Sequence, residues 1–334
     1  MNIETALKVH ADSIVIDAVC PLAQPGSEYL EWYREGGVTA LAPSVSTDEP
    51  VHTLNEIAAW HRLFRERDDL LAVKNVADIE RAKRKGKLGI YLHFQGTDAI
   101  GNELDRVDLY KALGVGIIQL TYNVRDYVGD GCEERTDAGL SKFGIRLVER
   151  LNEARVIVDC SHTGLRTSLE AIEVSTAPVV LSHSNAKSVY PSPRNVPDEL
   201  LEAVAKSGGV VGVAGFPGMI SSAATPSLSE FLAHIDAIVE TAGIDHVGLG
   251  IDYYTLQAGV ASDEDATRVY EELVRKGIWS TAYPAPPHHY PSGIETPRTL
   301  ANLTVGLFDR GYDELSVRKI LGGNWFRVMK AVWG

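Results

Sequence analysis

Residues 156–184 decide the fold, and they read VIVDCSHTGLRTSLEAIEVSTAPVVLSHS. Two short apolar runs, Val156–His162 and Pro178–Ser184, flank the stretch Gly164–Glu173, in which apolar residues recur three and four positions apart. This order predicts a strand, a helix and a second strand. Because both runs are almost continuously apolar, they are typical of parallel strands that are covered on both faces.

The same alternation extends along the chain and predicts about eight strands. We expect them in the Val15–Val19 region and at Val38–Val45, Leu88–Gln95, Val115–Asn123, Val156–His162, Pro178–Ser184, Val210–Gly215 and His246–Asp252. The amphipathic stretches between them predict helices at Leu140–Asn152, Gly164–Glu173, Asp198–Lys206 and Ser229–Ala242. Regular alternation makes the sheet parallel, and eight such units predict an α/β fold of the TIM (β/α)8-barrel type.

A proline-rich segment, TAYPAPPHHYPSG at residues 281–293, follows the last predicted strand. Its prolines exclude a helix or a central strand. We expect it to cover the mouth of the barrel, with His288 and His289 exposed to solvent; the alternative is that they contact the substrate. Helical patterns return after residue 296, so we expect residues 1–334 to form one barrel domain with a C-terminal helical extension.

Composition favours a small-molecule partner. Lys and Arg number 32 against 45 Asp and Glu, and the formal net charge of -13 opposes binding to nucleic acid or to anionic membranes. The amino terminus lacks the pattern of a secretory signal, and no apolar run reaches the roughly 18 residues of a membrane span, so we expect a cytoplasmic protein. Cys20, Cys132 and Cys160 lack CxxC spacing and predict neither disulfides nor a structural zinc cluster.

Polar residues interrupt the predicted strands near their carboxyl ends, where barrel enzymes build their sites. His162 and His183 end successive strands, so both imidazoles are expected at one rim, where they suit zinc or another divalent metal. The alternative is a pair of hydrogen-bonded histidines. Asp252 ends the apolar run GLGID and suits a general acid or base, with a helix cap or salt bridge as the alternative. Arg194 could hold a carboxylate, or lie solvated on a loop.

Several motifs together resemble the membrane (renal-type) dipeptidase family, peptidase family M19 of the amidohydrolase superfamily. They are SH ending at His162, LSHSN around His183, PRN around Arg194, GLGID ending at Asp252, and the segments LTYNVRDYVGDGC, DAGLSKFG and KILGGNWFRV. The resemblance spans nearly the whole chain. It implies a metal-dependent hydrolase with a two-zinc centre that cleaves dipeptides, and a homodimer.

The resemblance also assigns roles to single residues. It implies that His162 and His183 bind one zinc, that Asp252 handles the proton, and that Arg194, with the adjacent Asn195, binds a substrate carboxylate. Tyr122 stands where the family has a histidine that steadies the reacting carbonyl oxygen. Since a phenol can donate a hydrogen bond to an oxyanion, we expect Tyr122 to serve in catalysis and in substrate binding.

Three other family positions depart from the pattern. Val19 and Pro21 stand where the first strand carries a His-x-Asp ligand pair, and Gln95 stands where a glutamate bridges the metals. An uncharged amide is a poor bridge between two cations. We therefore expect one of the two metal sites to be absent, with one zinc or other divalent ion held by His162 and His183 and weakly by Gln95. His93 lies on the same strand face as Gln95, and we expect an interior histidine; the alternatives are a hydrogen-bond donor to Gln95 or a replacement ligand.

Three functional hypotheses follow. The first is a dipeptidase-like amidohydrolase that acts on a dipeptide or small amide of an amino acid with one divalent metal. The second is a metal-free enzyme that uses the histidines, Asp252 and Tyr122 for elimination or isomerisation. The third is a non-catalytic protein that binds a small carboxylate through Arg194. The combination of Asp252 and Arg194 favours the first.

Overall fold

The computed structural model describes residues 2–334, which form a barrel of short parallel strands surrounded by helices. Within that range the strands are β1 (Ile16–Asp17), β2 (Ala40–Leu41), β3 (Leu70–Ala72), β4 (Leu88–Ile90), β5 (Leu92–Phe94), β6 (Val115–Gln119), β7 (Ile157–Asp159), β8 (Val179–Val180), β9 (Val211–Val213) and β10 (Val247–Leu249). All paired strands are parallel. Each predicted strand contains at least one of them.

Two hydrogen-bonded sheets join edge to edge to close the ring. One has the order β3-β4-β2-β1-β10-β9, and the other has the order β5-β6-β7-β8. Single bridges between Ser44 and His93 and between Leu181 and Val211 connect them. Since β4 and β5 are two halves of one strand interrupted at Tyr91, the ring has eight members, and the predicted (β/α)8 barrel is confirmed.

Strand β3 is the element that sequence patterns missed. It is three residues long, follows the charged sequence RERDD, and pairs only with β4, outside the ring of eight. An apolar run of three residues is too short to be predicted as a buried strand from the sequence.

Helices cover the outside of the barrel. They are α1 (Ile3–Asp12), α2 (Tyr29–Glu35), α3 (Pro50–Glu66), α4 (Val76–Lys85), α5 (Arg106–Ala112), α6 (Lys142–Glu153), α7 (Leu165–Val174), α8 (Asp198–Lys206), α9 (Leu228–Ala242), α10 (Asp263–Arg275), α11 (Ala301–Asp309), α12 (Glu314–Arg318) and α13 (Asn324–Trp333). Side-chain caps fix several starts: Ser227 and Glu230 form a reciprocal capping box at α9. Nowhere in residues 2–334 is there a helix with the length and apolar character needed to cross a membrane.

Helix α13 closes the end of the barrel opposite the strands' carboxyl ends. Trp325 donates from Nε1 to the carbonyl of Leu249 at 2.9 Å, and Trp333 donates to the carbonyl of Gly116 at 3.3 Å. These partners lie in β10 and β6, on opposite sides of the ring, so the helix spans the barrel. A Cβ atom at Gly116 would lie 2.6 Å from the Trp333 ring, which only glycine avoids.

Candidate active site

The strands' carboxyl ends surround a small cavity of about 60 Å³. Its walls combine polar groups from five strand ends or following loops with aromatic rings. They are Pro21, Gln95, Tyr122, His162, Arg194, Phe216, Met219, Asp252, Tyr254, Trp279 and Tyr283. The cavity therefore brings together most of the side chains that the sequence singled out, at the end of the barrel where it placed them.

Three residues of the site have left-handed backbone conformations. Asn123, His162 and Asp252 follow β6, β7 and β10, and each has a φ of 60°. Asn, Asp and His are the side-chain-bearing residues most often found in this region, although it still costs free energy. Such turns interrupt the alternation of a strand, so strand periodicity does not predict where these side chains point.

His162 and His183 meet at the site. Their Nε2 atoms are 2.8 Å apart, and both rings are buried. His162 stacks on the Tyr122 ring with centroids 4.0 Å apart. Burial, assisted by the charge of Arg194, lowers the pKa of each imidazole well below its usual value. Both rings are therefore neutral at neutral pH in the absence of a bound ion.

Hydrogen bonds at the far side of each ring fix the tautomers. His162 Nδ1 donates to Asn123 Oδ1 at 2.6 Å. His183 Nδ1 contacts Ser182 Oγ at 2.7 Å, and Ser182 Oγ donates to Asp159 Oδ2 at 2.5 Å. Because the serine proton goes to the carboxylate, His183 Nδ1 is the donor to the serine oxygen. The two Nε2 lone pairs then face each other across 2.8 Å, an arrangement that a cation bound between them would stabilise.

Asp159 anchors this network inside the barrel. Its carboxylate accepts from the backbone N–H groups of Ser161 and Ser182, from Ser182 Oγ, and contacts His93 Nε2 at 3.1 Å. Although burial opposes ionisation, the His93 contact and the other donors hold the pKa of Asp159 at about 2. His93 Nε2 thus contacts Asp159 inside the barrel, as expected of an interior histidine, while its Nδ1 has no hydrogen-bond partner.

The side of the cavity where the resemblance placed further ligands is apolar. Val19 is fully buried, and Pro21 contributes to the cavity wall. Gln95 does reach the histidines, with its Nε2 3.4 Å from His183 Nε2. Across residues 2–334 there is no cluster of three or more His, Cys, Asp or Glu side chains arranged to hold a metal ion.

Arg194 is a buried cation that no carboxylate neutralises. Its side chain is 3% exposed, and Nη2 donates only a long hydrogen bond, 3.5 Å, to the carbonyl of His183. Among the described residues it forms no ion pair. A buried guanidinium without a partner is costly, and its planar donor array matches a carboxylate. The solvated loop position that the sequence alone allowed is wrong.

Asp252 shares the cavity with Arg194. Burial raises the pKa of Asp252 to about 8, against the opposing charge of Arg194. Its carboxyl group is therefore largely protonated at neutral pH and can give up a proton during a reaction. Asp252 forms no salt bridge in the described part of the chain, which excludes that alternative.

Tyr122 and Trp279 form part of the cavity wall and contact each other. Trp279 Nε1 donates to Tyr122 Oη at 3.2 Å, so the phenol proton stays available for another acceptor. Burial raises the pKa of Tyr122, and the phenol stays neutral. A neutral phenol in the cavity wall is a suitable donor to a developing oxyanion.

The proline-rich segment and the residues just before it cover the mouth, as predicted. Trp279 and Tyr283 stack with centroids 4.6 Å apart. His288 is 2% exposed and packs against Phe216, with centroids 4.9 Å apart, so the expectation that it is exposed was wrong. The covering segment is apolar on its inner face, and His288 is part of that face.

Sequence reasoning missed Asn123. Its Oδ1 accepts from His162, while its Nδ2 donates to the carbonyl of Ile278 at 3.0 Å and to Tyr283 Oη at 3.1 Å. One buried amide thus ties a site histidine to the segment over the mouth. Its only sequence signal was a polar residue at the end of a predicted strand.

Asn195 lies outside the main cavity. Its Nδ2 donates to the carbonyls of Tyr190 and Met219, each at 2.8 Å, so this amide group holds the loop that carries Arg194. Asn195 lines an adjoining cavity of about 120 Å³, on the other side of His162 and Arg194. Its part in substrate binding stays a prediction.

Comparison with known proteins gives concordant matches. The family model for membrane dipeptidase (peptidase family M19) matches residues 31–285. A dipeptidase of Aspergillus oryzae is 30% identical over 76% of this chain, although the match spans only 62% of that enzyme's length. A dipeptidase of Aspergillus terreus is 28% identical over 92% of this chain and 77% of its own.

Solved structures extend the match to nearly the whole chain. The crystal structure of an amidohydrolase from Pseudomonas aeruginosa is 37% identical, with a TM-score of 0.90, over 98% of this chain and 99% of its own. The family match, the relatives and the shared barrel agree with the motifs at the strand ends. This chain belongs to the membrane dipeptidase family, peptidase family M19.

Proposed function

We propose that this protein hydrolyses the amide bond of a dipeptide or another small amide of an amino acid that has a free carboxylate. The observation that carries the proposal is Arg194, a buried guanidinium without an ion-pair partner in the same cavity as Asp252. A substrate carboxylate would neutralise Arg194 and orient the adjacent amide toward the histidines. The dipeptidases among the relatives support this class of reaction.

The chain's own groups supply the remaining steps. Asp252, with a pKa of about 8, would deliver a proton to the nitrogen that leaves when the C–N bond breaks. The Tyr122 hydroxyl would donate a hydrogen bond to the carbonyl oxygen as negative charge develops on it. The apolar cover formed by Trp279 and Tyr283 would exclude bulk water and strengthen both interactions.

The residues present fit one divalent cation and not the two zinc ions of the family. His162 and His183 bring their Nε2 atoms within 2.8 Å of each other, and the Gln95 side chain lies beside them with its amide nitrogen 3.4 Å from His183 Nε2, so a reversed amide would be needed for its oxygen to act as a third, weaker ligand. Val19 and Pro21 offer no ligand for a second ion. When bound, a single cation would polarise the substrate carbonyl and lower the pKa of a water molecule.

A metal-free acid–base reaction is the second candidate. It is favoured by the short contact between the two neutral imidazoles and by the lack of a third strong ligand within the described residues. In this case a histidine and Asp252 would exchange protons with the substrate. Elemental analysis separates the two candidates.

The deciding experiment measures metal content and turnover on protein purified without chelator. We expect about one zinc or related ion per chain, its loss in a His162→Ala, His183→Ala variant, and hydrolysis of some members of a panel of dipeptides and N-acyl amino acids. Turnover that persists without metal would support the acid–base alternative. Ligand-induced thermal stabilisation without turnover would instead indicate a binding protein.

Substitutions of Arg194 test whether this residue binds the substrate carboxylate. We expect Arg194→Met to lower kcat/KM about 100-fold, because a charge-assisted bidentate contact is lost. Arg194→Lys keeps the charge without the planar fork and should lose less. Equal activity in all three proteins would contradict a role for Arg194 in holding the substrate.

A further inference from the structure

We propose that the site selects amides whose acyl portion carries no free ammonium group, which makes N-acyl amino acids better substrates than simple dipeptides. The inference rests on the proposed function, amide hydrolysis with the substrate carboxylate on Arg194. It concerns the other end of the substrate, which would extend from Arg194 past the histidines. The groups that line the cavity determine which chemistry that end can carry.

The balance of charge in the cavity disfavours a buried ammonium. Of the residues in its walls, Asp252 alone is acidic and Arg194 alone is a permanent cation. Gln95 contributes a neutral amide. A free dipeptide would bring an ammonium group into a narrow, partly enclosed cavity that offers it no ionised carboxylate partner, and an unpaired charge removed from water is unfavourable.

Asp252 does not satisfy that need. In the proposed reaction it donates a proton to the leaving nitrogen, so its reactive form is the neutral acid, in agreement with its pKa of about 8. The cavity then holds one net positive charge and suits a monoanion. A divalent cation between His162 and His183 would add positive charge and increase the preference.

The remaining wall suits an apolar acyl group. Pro21, Phe216, Met219, Tyr254 and Trp279 present rings and methylene groups to the cavity. Although ring faces attract cations, one face of Trp279 is already covered by Tyr283, with centroids 4.6 Å apart. Burial of a methyl or longer acyl chain against this wall is favourable without any ionic partner.

Two compounds that differ only in this group provide the probe. N-acetyl-alanine and glycyl-alanine have the same amide and the same carboxylate, and the second replaces one methyl hydrogen with an ammonium group. Hydrolysis adds water across the C–N bond: the hydroxyl group joins the acyl carbon, the proton goes to nitrogen, and acetate or glycine is released with alanine. We expect kcat/KM, and affinity by calorimetry, to favour the acetyl compound at least tenfold with either enantiomer.

A charge introduced into the apolar wall should reverse the preference. Pro21 is half-buried at the cavity, so Pro21→Asp places a carboxylate there and Pro21→Asn places a neutral group of the same shape. We expect the aspartate variant to improve glycyl-alanine relative to N-acetyl-alanine at least tenfold over the asparagine variant. Metal content measured on both variants shows whether the new carboxylate also recruits an ion.

The outcomes separate this inference from the proposed function. Hydrolysis of both compounds with equal efficiency, or a preference for glycyl-alanine, overturns the inference and leaves amide hydrolysis intact. If the protein hydrolyses neither compound, the proposed function is contradicted. Calorimetry then decides the inference, since tighter binding of N-acetyl-alanine supports it and equal binding overturns it. The inference is also contradicted if Pro21→Asp and Pro21→Asn show the same ratio of kcat/KM for glycyl-alanine to kcat/KM for N-acetyl-alanine.

Discussion

The two sides of the barrel mouth are built differently. Beyond β5 to β8, Asp159 holds His183 through Ser182, and His183 in turn contacts His162 and Gln95. Beyond β1, Val19 and Pro21 are apolar and are held by packing alone. The difference teaches that the two sides depend on different interactions: His183 and His162 rest on hydrogen bonds from Ser182 and Asn123, whereas the β1 side rests on the packing of apolar side chains.

Removal of the Asp159 carboxylate should have the largest effect on stability, because Asp159 holds the hydrogen bonds on the histidine side of the mouth. Asp159→Ala leaves two backbone N–H groups and Ser182 without an acceptor, so we expect a loss of about 3–5 kcal/mol in the free energy of unfolding, measured by urea denaturation. Asp159→Asn keeps one acceptor oxygen and should lose less. A loss below about 1 kcal/mol in the alanine variant would contradict the view that this side depends on the network.

The Asp159 contribution also has a predictable pH dependence. The folded-state pKa is about 2, below the value of about 3.9 in an unfolded chain. This stabilisation is therefore present above pH 4 and is lost as the pH falls toward 2. The difference in stability between the wild type and Asp159→Asn should shrink over that range.

Asp17 is the buried acid on the β1 side of the mouth, and its contribution to stability should depend on pH in the opposite direction to that of Asp159. Asp17, in β1, accepts from the backbone N–H of Ile251, and its Oδ2 has no partner. Burial raises the pKa of Asp17 to about 7, so its favourable contribution is complete below about pH 4 and is lost as the pH rises through 7. We expect Asp17→Asn to stabilise the protein by about 1–2 kcal/mol at pH 8 and by little at pH 4.

Thermal unfolding at the two pH values measures this effect. The exposed Asp12 offers a control, because Asp12→Asn removes one negative charge without changing a buried group. If Asp17→Asn were destabilising at both pH values, Asp17 would have to be ionised and paired in the folded protein.

Replacement of Cys20 should have the smallest effect on stability. Its thiol is buried beside Asp17, with a weak contact of 3.6 Å from Sγ to the Asp17 carbonyl. We expect Cys20→Ala to cost about 1 kcal/mol or less and to leave the metal content unchanged. A fall in metal content would show that the packed side does contribute a ligand, and would remove the distinction between the two sides.

The sequence predicted most of the architecture because apolar runs and turn residues are local signals. His162, His183 and Asp252 were located correctly because each ends such a run, and parallel strands place their carboxyl ends together. Arg194 was assigned through family motifs, since the residues near it in sequence do not reveal that it is buried.

What was missed depends on contacts between distant residues. Trp279 and Tyr122 are 157 positions apart, and Asn123 and Tyr283 are 160 apart. Periodicity cannot report such pairs, which explains why the burial of His288 and the role of Asn123 emerged only from the structure. The left-handed turns at the strand ends also limit prediction, because such a turn changes the face on which the next side chain lies.

The placement of α13 has a consequence for biosynthesis. Trp333 pairs with Gly116 across 217 positions, and Trp325 pairs with Leu249 across 76. Strands β1 and β10 must also meet before the ring can close. A ribosome that has released β1 to β8 therefore exposes an incomplete barrel with an open floor and two unpaired sheet edges. High contact order of this kind slows folding, so nascent chains should depend on chaperones until the final tryptophan has emerged.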